Sequence, residues 1–177
     1  MKLDETLTPR AYEVIGRAVV ACGSLETWIC YAICAVLEIT LSKPANELVM
    51  TIRKIQGEDL VTKLQKSVSE LERIHEGRYE SMSNLFRGGD SWGNACKQLM
   101  IERNILCHSS WTLEHVEAIH DVRISRQSAT GVEYVSRKFP AILELAACLL
   151  TLENKLVEVL VDAELIGKYV SEKRRCN

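Results

Sequence analysis

From Pro140 onward the apolar residues Ile142, Leu145, Leu149, Leu152, Leu156, Val159, Ala163, Ile166 and Val170 return every three or four positions. Such spacing stacks side chains along one face of an α-helix, whereas a strand would divide them between its two faces. The segment is therefore predicted as a long helix whose seam packs along another helix. A second row, Leu143, Ala147, Leu150, Val157, Val161 and Leu165, widens that seam. A helix apolar over so much of its circumference is either central to its own bundle or shared with another chain, and the spacing fits both.

The same period recurs upstream. Tyr12, Ile15, Val19, Cys22, Ile29, Ile33, Val36 and Leu37 predict one helix from about Pro9 to Ile39, or two joined near Gly23-Ser24. Ser42 is placed to cap a short helix to about Ile55, and Gly57 separates it from an amphipathic helix over Glu58–His75. There Leu60, Leu64, Val68 and Leu71 face inward, and the charges elsewhere form an ordinary solvated side. Residues 77–93, with four of the nine glycines, read as a loop or broken helix; Asp90 or Ser91 then caps a helix from about Trp92 to Ser109. VRIS and VEYVS are short β-branched runs separated by RQSATG, the pattern of a hairpin. The expected fold is mostly all-α: one helical domain over 1–177 with a small β-hairpin insertion around residues 112–138. The closing EKRRCN reads as a solvated helix end favoured by the helix dipole.

A chain of 177 residues, 47% of them apolar, can bury a full-sized core. Its 22 Lys+Arg against 24 Asp+Glu leave a net charge of -2, which excludes a global basic signature, so any nucleic-acid contact must be local. Seven cysteines form no CxxC pair and lie mostly in apolar helical text, where reduced Cys acts as a small buried hydrophobe; this predicts a reducing, cytoplasmic setting. MKLDETLTPR lacks a basic stretch followed by an apolar core, and no uninterrupted apolar run reaches the ~18 residues of a membrane span, so no membrane partner is expected.

Against this background the stretch LMIERNILCHSSW, Leu99–Trp111, is anomalous: Glu102, Arg103 and Asn104 interrupt an apolar run that ends at His108 and Trp111. On a continuous helix Asn104, His108 and Trp111 share one face, and Arg103 lies about 140° around and about 7.5 Å along from His108. A guanidinium among Met100, Ile101, Ile105 and Leu106 needs either an anionic partner or a wet cleft. One solution is a salt bridge with Glu102, Glu26 or another carboxylate, with His108 capping the helix. The other is a phosphodiester: a neutral imidazole takes the ribose 2′-OH proton while the guanidinium holds the phosphate oxygens. A single His does not readily serve as base and leaving-group acid in one step, which favours two copies meeting across a two-fold axis.

Arg103-Asn-Ile-Leu-Cys-His108 resembles the Arg, four to six residues, His motif of the HEPN superfamily, in the form where a polar residue, often Asn, follows the Arg. Glu102 before it and Trp111 after it are similar to the RNxxxH-type members. The resemblance implies a dimerising helical bundle with two motifs facing one another. It also implies metal-independent RNA cleavage in active members, many of them toxins of toxin–antitoxin or phage-defence systems. Other members serve as modules that bind a partner protein or nucleotide. Arg103 and His108 would be catalytic, Asn104 would orient or assist, and Glu102 and Trp111 would touch substrate. The implied partners are a second copy, RNA and an antitoxin protein, with no cofactor and no metal.

Other groups read as structural. His75, His115 and His120 have no CxxC or HExxH partner and are expected on the surface. Cys107 and His108 are helix neighbours that point about 100° apart, so a packing Cys is expected rather than a nucleophile. RGGDSWG lacks the Gly-x4-Gly-Lys-Ser/Thr order of a phosphate loop and reads as a turn.

Overall fold

Small and branched apolar residues at Ala11, Val14, Ala18, Ala21, Cys22, Leu25, Ile29, Ala32, Ile33 and Val36 form one inward row, and in the computed structural model they lie on a single unbroken helix, α1 (Pro9–Leu41). The helix runs through Gly23-Ser24 without a joint. The structure describes residues 9–41, 52, 55, 57–108, 110–116, 119–128 and 131–166, with backbone alone over 107–137. The short helix expected over Ser42–Ile55 lies outside the described residues, except for Ile52, which is buried, and Ile55.

Four further helices follow among the described residues: α2 (Glu58–Ile74), α3 (Glu80–Asn84), α4 (Trp92–His108) and α5 (Phe139–Asp162). α1 packs most extensively along α5, then against α2 and α4. α2 buries Leu60, Leu64, Val68 and Leu71 as its spacing predicts, and its Glu70–Arg73 pair is solvated. The one-turn α3 breaks the expected 77–93 loop and buries Met82. Ser91 is the residue that caps α4, its Oγ accepting the Asn94 N–H at 3.4 Å. Trp92 then donates its indole N–H to the Leu152 carbonyl at 2.8 Å, which ties the start of α4 to α5.

The first seam of α5 is the buried one: Ile142, Leu145, Leu149, Leu156 and Val159 face the core. Of the second row, Leu150 is 48% and Val161 52% exposed. The helix ends earlier than its periodicity suggests. Glu164 adopts φ 58°, and the Leu165 N–H returns to the Leu160 carbonyl at 2.9 Å. Ile166 is buried by that reversal, so it keeps the apolar rhythm without extending the helix. Val170 and EKRRCN lie outside the described residues.

The expected all-α bundle with a two-stranded hairpin over 112–138 is corrected. Residues 110–138 form a three-stranded antiparallel sheet, β1 (Ser110–Val116), β2 (Ile119–Ser128) and β3 (Gly131–Lys138), in the order β1-β2-β3. β1 pairs with β2 in a register that sets Trp111 opposite Ile124 and His115 opposite His120, and β2 pairs with β3 as closely as Ser128 opposite Gly131. Trp111, Leu113 and His115 alternate with Thr112, Glu114 and Val116, a period of two hidden by reading Trp111 as one more helical position. β3 passes directly into α5, with Lys138 as N-cap in extended conformation and Pro140 in the first turn.

By length and composition α1 would also serve as a membrane span, since an 18-residue window has a mean hydropathy of 1.7. Its inward row is the surface on which α2, α4 and α5 pack.

Adjacent leucines on α5 test this arrangement. Leu149→Ala should lower unfolding stability in urea by about 2–5 kcal/mol, since Leu149 is fully buried. Leu150→Ala should change it by less than about 0.5 kcal/mol at low protein concentration. A large loss at Leu150 would place it inside a second interface.

Candidate functional site

On α4 Trp92, Cys96 and Met100 are buried and Leu99 is partly buried beside them, so Arg103, one turn on, continues an apolar stripe. Its partner is Glu26 on α1. Arg103 Nη2 donates to Glu26 Oε2 at 3.0 Å, and the two side chains are 19% and 17% exposed. Arg103 Nη1 donates to Asn104 Oδ1 at 2.9 Å, while Nε is buried with no hydrogen-bond partner among the described residues. Arg103 thus makes an interhelical salt bridge, with limited solvent access.

Glu26 has a second task. Its Oε1 accepts the Gly57 N–H at 3.1 Å, so one carboxylate joins α1, α4 and the residue that opens α2. Gly57 has φ 57° and ψ -131°, a combination close to glycine-only backbone space. A Cβ there would lie 3.3 Å from Asn104 Nδ2. Arginine only donates, so the Asn104 oxygen must face Arg103 and its NH2 group must face Gly57. Sequence reasoning took Gly57 for a separator; a glycine at a helix start carries no mark of what lies beside it.

The thiols of Cys30 and Cys96 lie near Glu26. Cys22 Sγ contacts Met100 Sδ at 3.6 Å, both buried. Burial pushes the Cys96 thiol up to about 12, with Cys22 and Glu26 adding to the effect and Lys97 opposing it. Burial likewise raises Cys30, helped by Cys34 and Glu26, and raises Cys34, helped by Glu38. In so weakly polar a setting the Arg103–Glu26 attraction is screened less than at an open surface.

The other predicted residues, and Arg87 at the start of RGGDSWG, lie as follows. His108 is the last residue of α4, five positions after Arg103. Trp111, expected on the same helical face, is instead on β1, because the helix ends at His108. Glu102 is part-buried on the flank of α4 away from Asn104. His75 packs edge-on against Tyr79 at 5.7 Å, and Arg87 pairs with Glu80 and Asn84. Among the described residues no group of three or more His, Cys, Asp or Glu could hold a metal ion. An open groove of about 470 Å³, lined by residues including Arg10, Arg17 and Leu143, contains none of the predicted site residues.

No family model, curated protein or solved structure matches the chain.

Two consequences are measurable. Gly57→Ala should cost about 1–3 kcal/mol, from the strained backbone and the crowded Asn104 amide together, read as a shifted urea midpoint. The Cys96 thiol keeps its proton in the folded state well above its ordinary value near 9. Its contribution is therefore fully present below pH 9 and is lost as pH rises from about 9 to about 12, where only the unfolded chain ionises. Urea midpoints of Cys96→Ala should fall less steeply over that range than those of the wild type.

Proposed function

We propose that the chain is a HEPN-like endoribonuclease that needs no metal, with Arg103 and His108 of two copies forming one site across a homodimer. The observation that carries this reading is the Arg103–Asn104 unit: the Asn next to the motif arginine holds its guanidinium at 2.9 Å, within one and a half turns of His108 at the end of the same helix. This contact supports the orienting role that the resemblance implies for Asn104.

In the proposed reaction His108 takes the 2′-OH proton, the 2′-oxygen attacks the adjacent phosphorus, and the bond to the 5′-oxygen breaks. His108 of the second copy returns a proton to that leaving oxygen, and Arg103 offsets the charge growing on the non-bridging oxygens. Glu102 and Trp111 are the proposed substrate contacts. A toxin of a toxin–antitoxin or phage-defence system, working in the cytoplasm and restrained by an antitoxin protein, is the setting this chemistry suits.

A second reading is favoured by the Arg103–Glu26 pair. An arginine already neutralised by a carboxylate fits a non-catalytic HEPN-like module that binds a partner protein or nucleotide.

Cleavage of a labelled single-stranded RNA in the presence of chelator separates the two. The wild type should cleave, and His108→Ala should lower the rate at least about 100-fold with folding unchanged. Equal cleavage by wild type and variant, or none by either, would overturn the ribonuclease reading.

A further inference from the structure

Both terminal nitrogens of Arg103 donate within the protein, one to Glu26 and one to Asn104, and its Nε is buried. Glu26 Oε2 thus occupies the place on Nη2 that an oxygen of a phosphate group would take. The pair is neutral as a unit, and a phosphate that approached with Glu26 in place would meet a like charge at short range. Lys97, the cation two turns earlier on α4, is turned to Gln65 Oε1 at 3.3 Å.

We infer that Glu26 is a latch: it is an internal substitute for phosphate that keeps Arg103 closed, and a phosphate group binds Arg103 by displacing it. The geometry also says what else must move. The carboxylate that holds Arg103 through Oε2 holds the Gly57 N–H through Oε1, so turning Glu26 away from Arg103 breaks or weakens the Gly57 bond. Gly57 has no side-chain cap of its own and opens α2, so phosphate at Arg103 is coupled to loosening of the start of α2. The Asn104 amide, bonded to Arg103 and packed at Gly57, belongs to the same unit. The assignment of RNA as the natural source of that phosphate rests on the proposed function; the exchange of one anion for another does not.

The probe is inorganic phosphate, titrated at constant ionic strength and followed by the Arg103 Nε–H resonance. Glu26→Gln, which keeps the size of the side chain and removes its charge, should bind phosphate at least about tenfold more tightly than the wild type. Adding Arg103→Ala to that variant should abolish the gain. In the wild type, saturating phosphate should accelerate hydrogen exchange at the Gly57 amide several-fold while exchange in the middle of α5 stays constant. Phosphate affinity in Glu26→Gln equal to or below that of the wild type overturns the latch, as does an unchanged Gly57 exchange rate at saturation. Should Glu26→Gln not fold, the wild-type exchange measurement decides. A wild type that cleaves no RNA yet passes these tests overturns the ribonuclease reading alone; one that cleaves RNA and fails them overturns the latch alone.

Discussion

The inward row of α1 is the surface on which this fold is assembled. Leu25, Ile29 and Ile33 are fully buried, with alanines at 11, 18, 21 and 32 between and beside them. Small residues in that row let neighbouring backbones come close, and the large ones lock them in place. α5, α2 and α4 each bury their own seam against this helix. Its apolar character, which taken alone resembles a span, follows from having several neighbours rather than one.

The charged pair stands beside these apolar rows. Arg103 extends the buried face of α4 and Glu26 stands at the edge of the corresponding face of α1, so each ion removes the other's reason to seek water. With both under one-fifth exposed, the pair lies between the ~0–1 kcal/mol of open surface bridges and the ~3–5 kcal/mol lost when a fully buried pair is broken. The second oxygen of Glu26 turns this pair into a junction of three segments. In the proposed reading a structural role and a role in recognising anions share the same few atoms, and the first sets the threshold for the second.

How much of this was legible depended on whether the decisive contact was periodic or particular. The seams of α2 and α5 could be read because Leu60, Leu64, Leu145 and Leu149 repeat at the pitch of the helix that buries them. The end of α5 could not, because Ile166 preserves that pitch from within a reversed turn at Glu164. The first strand was hidden by Trp111, which suits both the face of Asn104 and His108 and the alternation of SWTLEHV. Polarity inside the run at 102–104 announced that Arg103 needed a partner, and Glu26 was among the candidates. Choosing it required knowing how α1 and α4 cross. Gly57 had no local signal at all, since its φ of 57° matters only once the Glu26 oxygen and the Asn104 amide are beside it.

The sheet is joined to the helices with almost no slack. β1 starts two residues after α4 ends, and β3 becomes α5 between Lys138 and Phe139. Phe139 is buried at once, which fixes the direction of the chain at that passage. A sheet held in this way cannot swing as a flap on a linker. Any tilt must be transmitted as a twist of α5 or a pull on the last turn of α4, where His108 sits. It is thus geared to the bundle, and a weight placed on its outer strands would be felt along two helices at once.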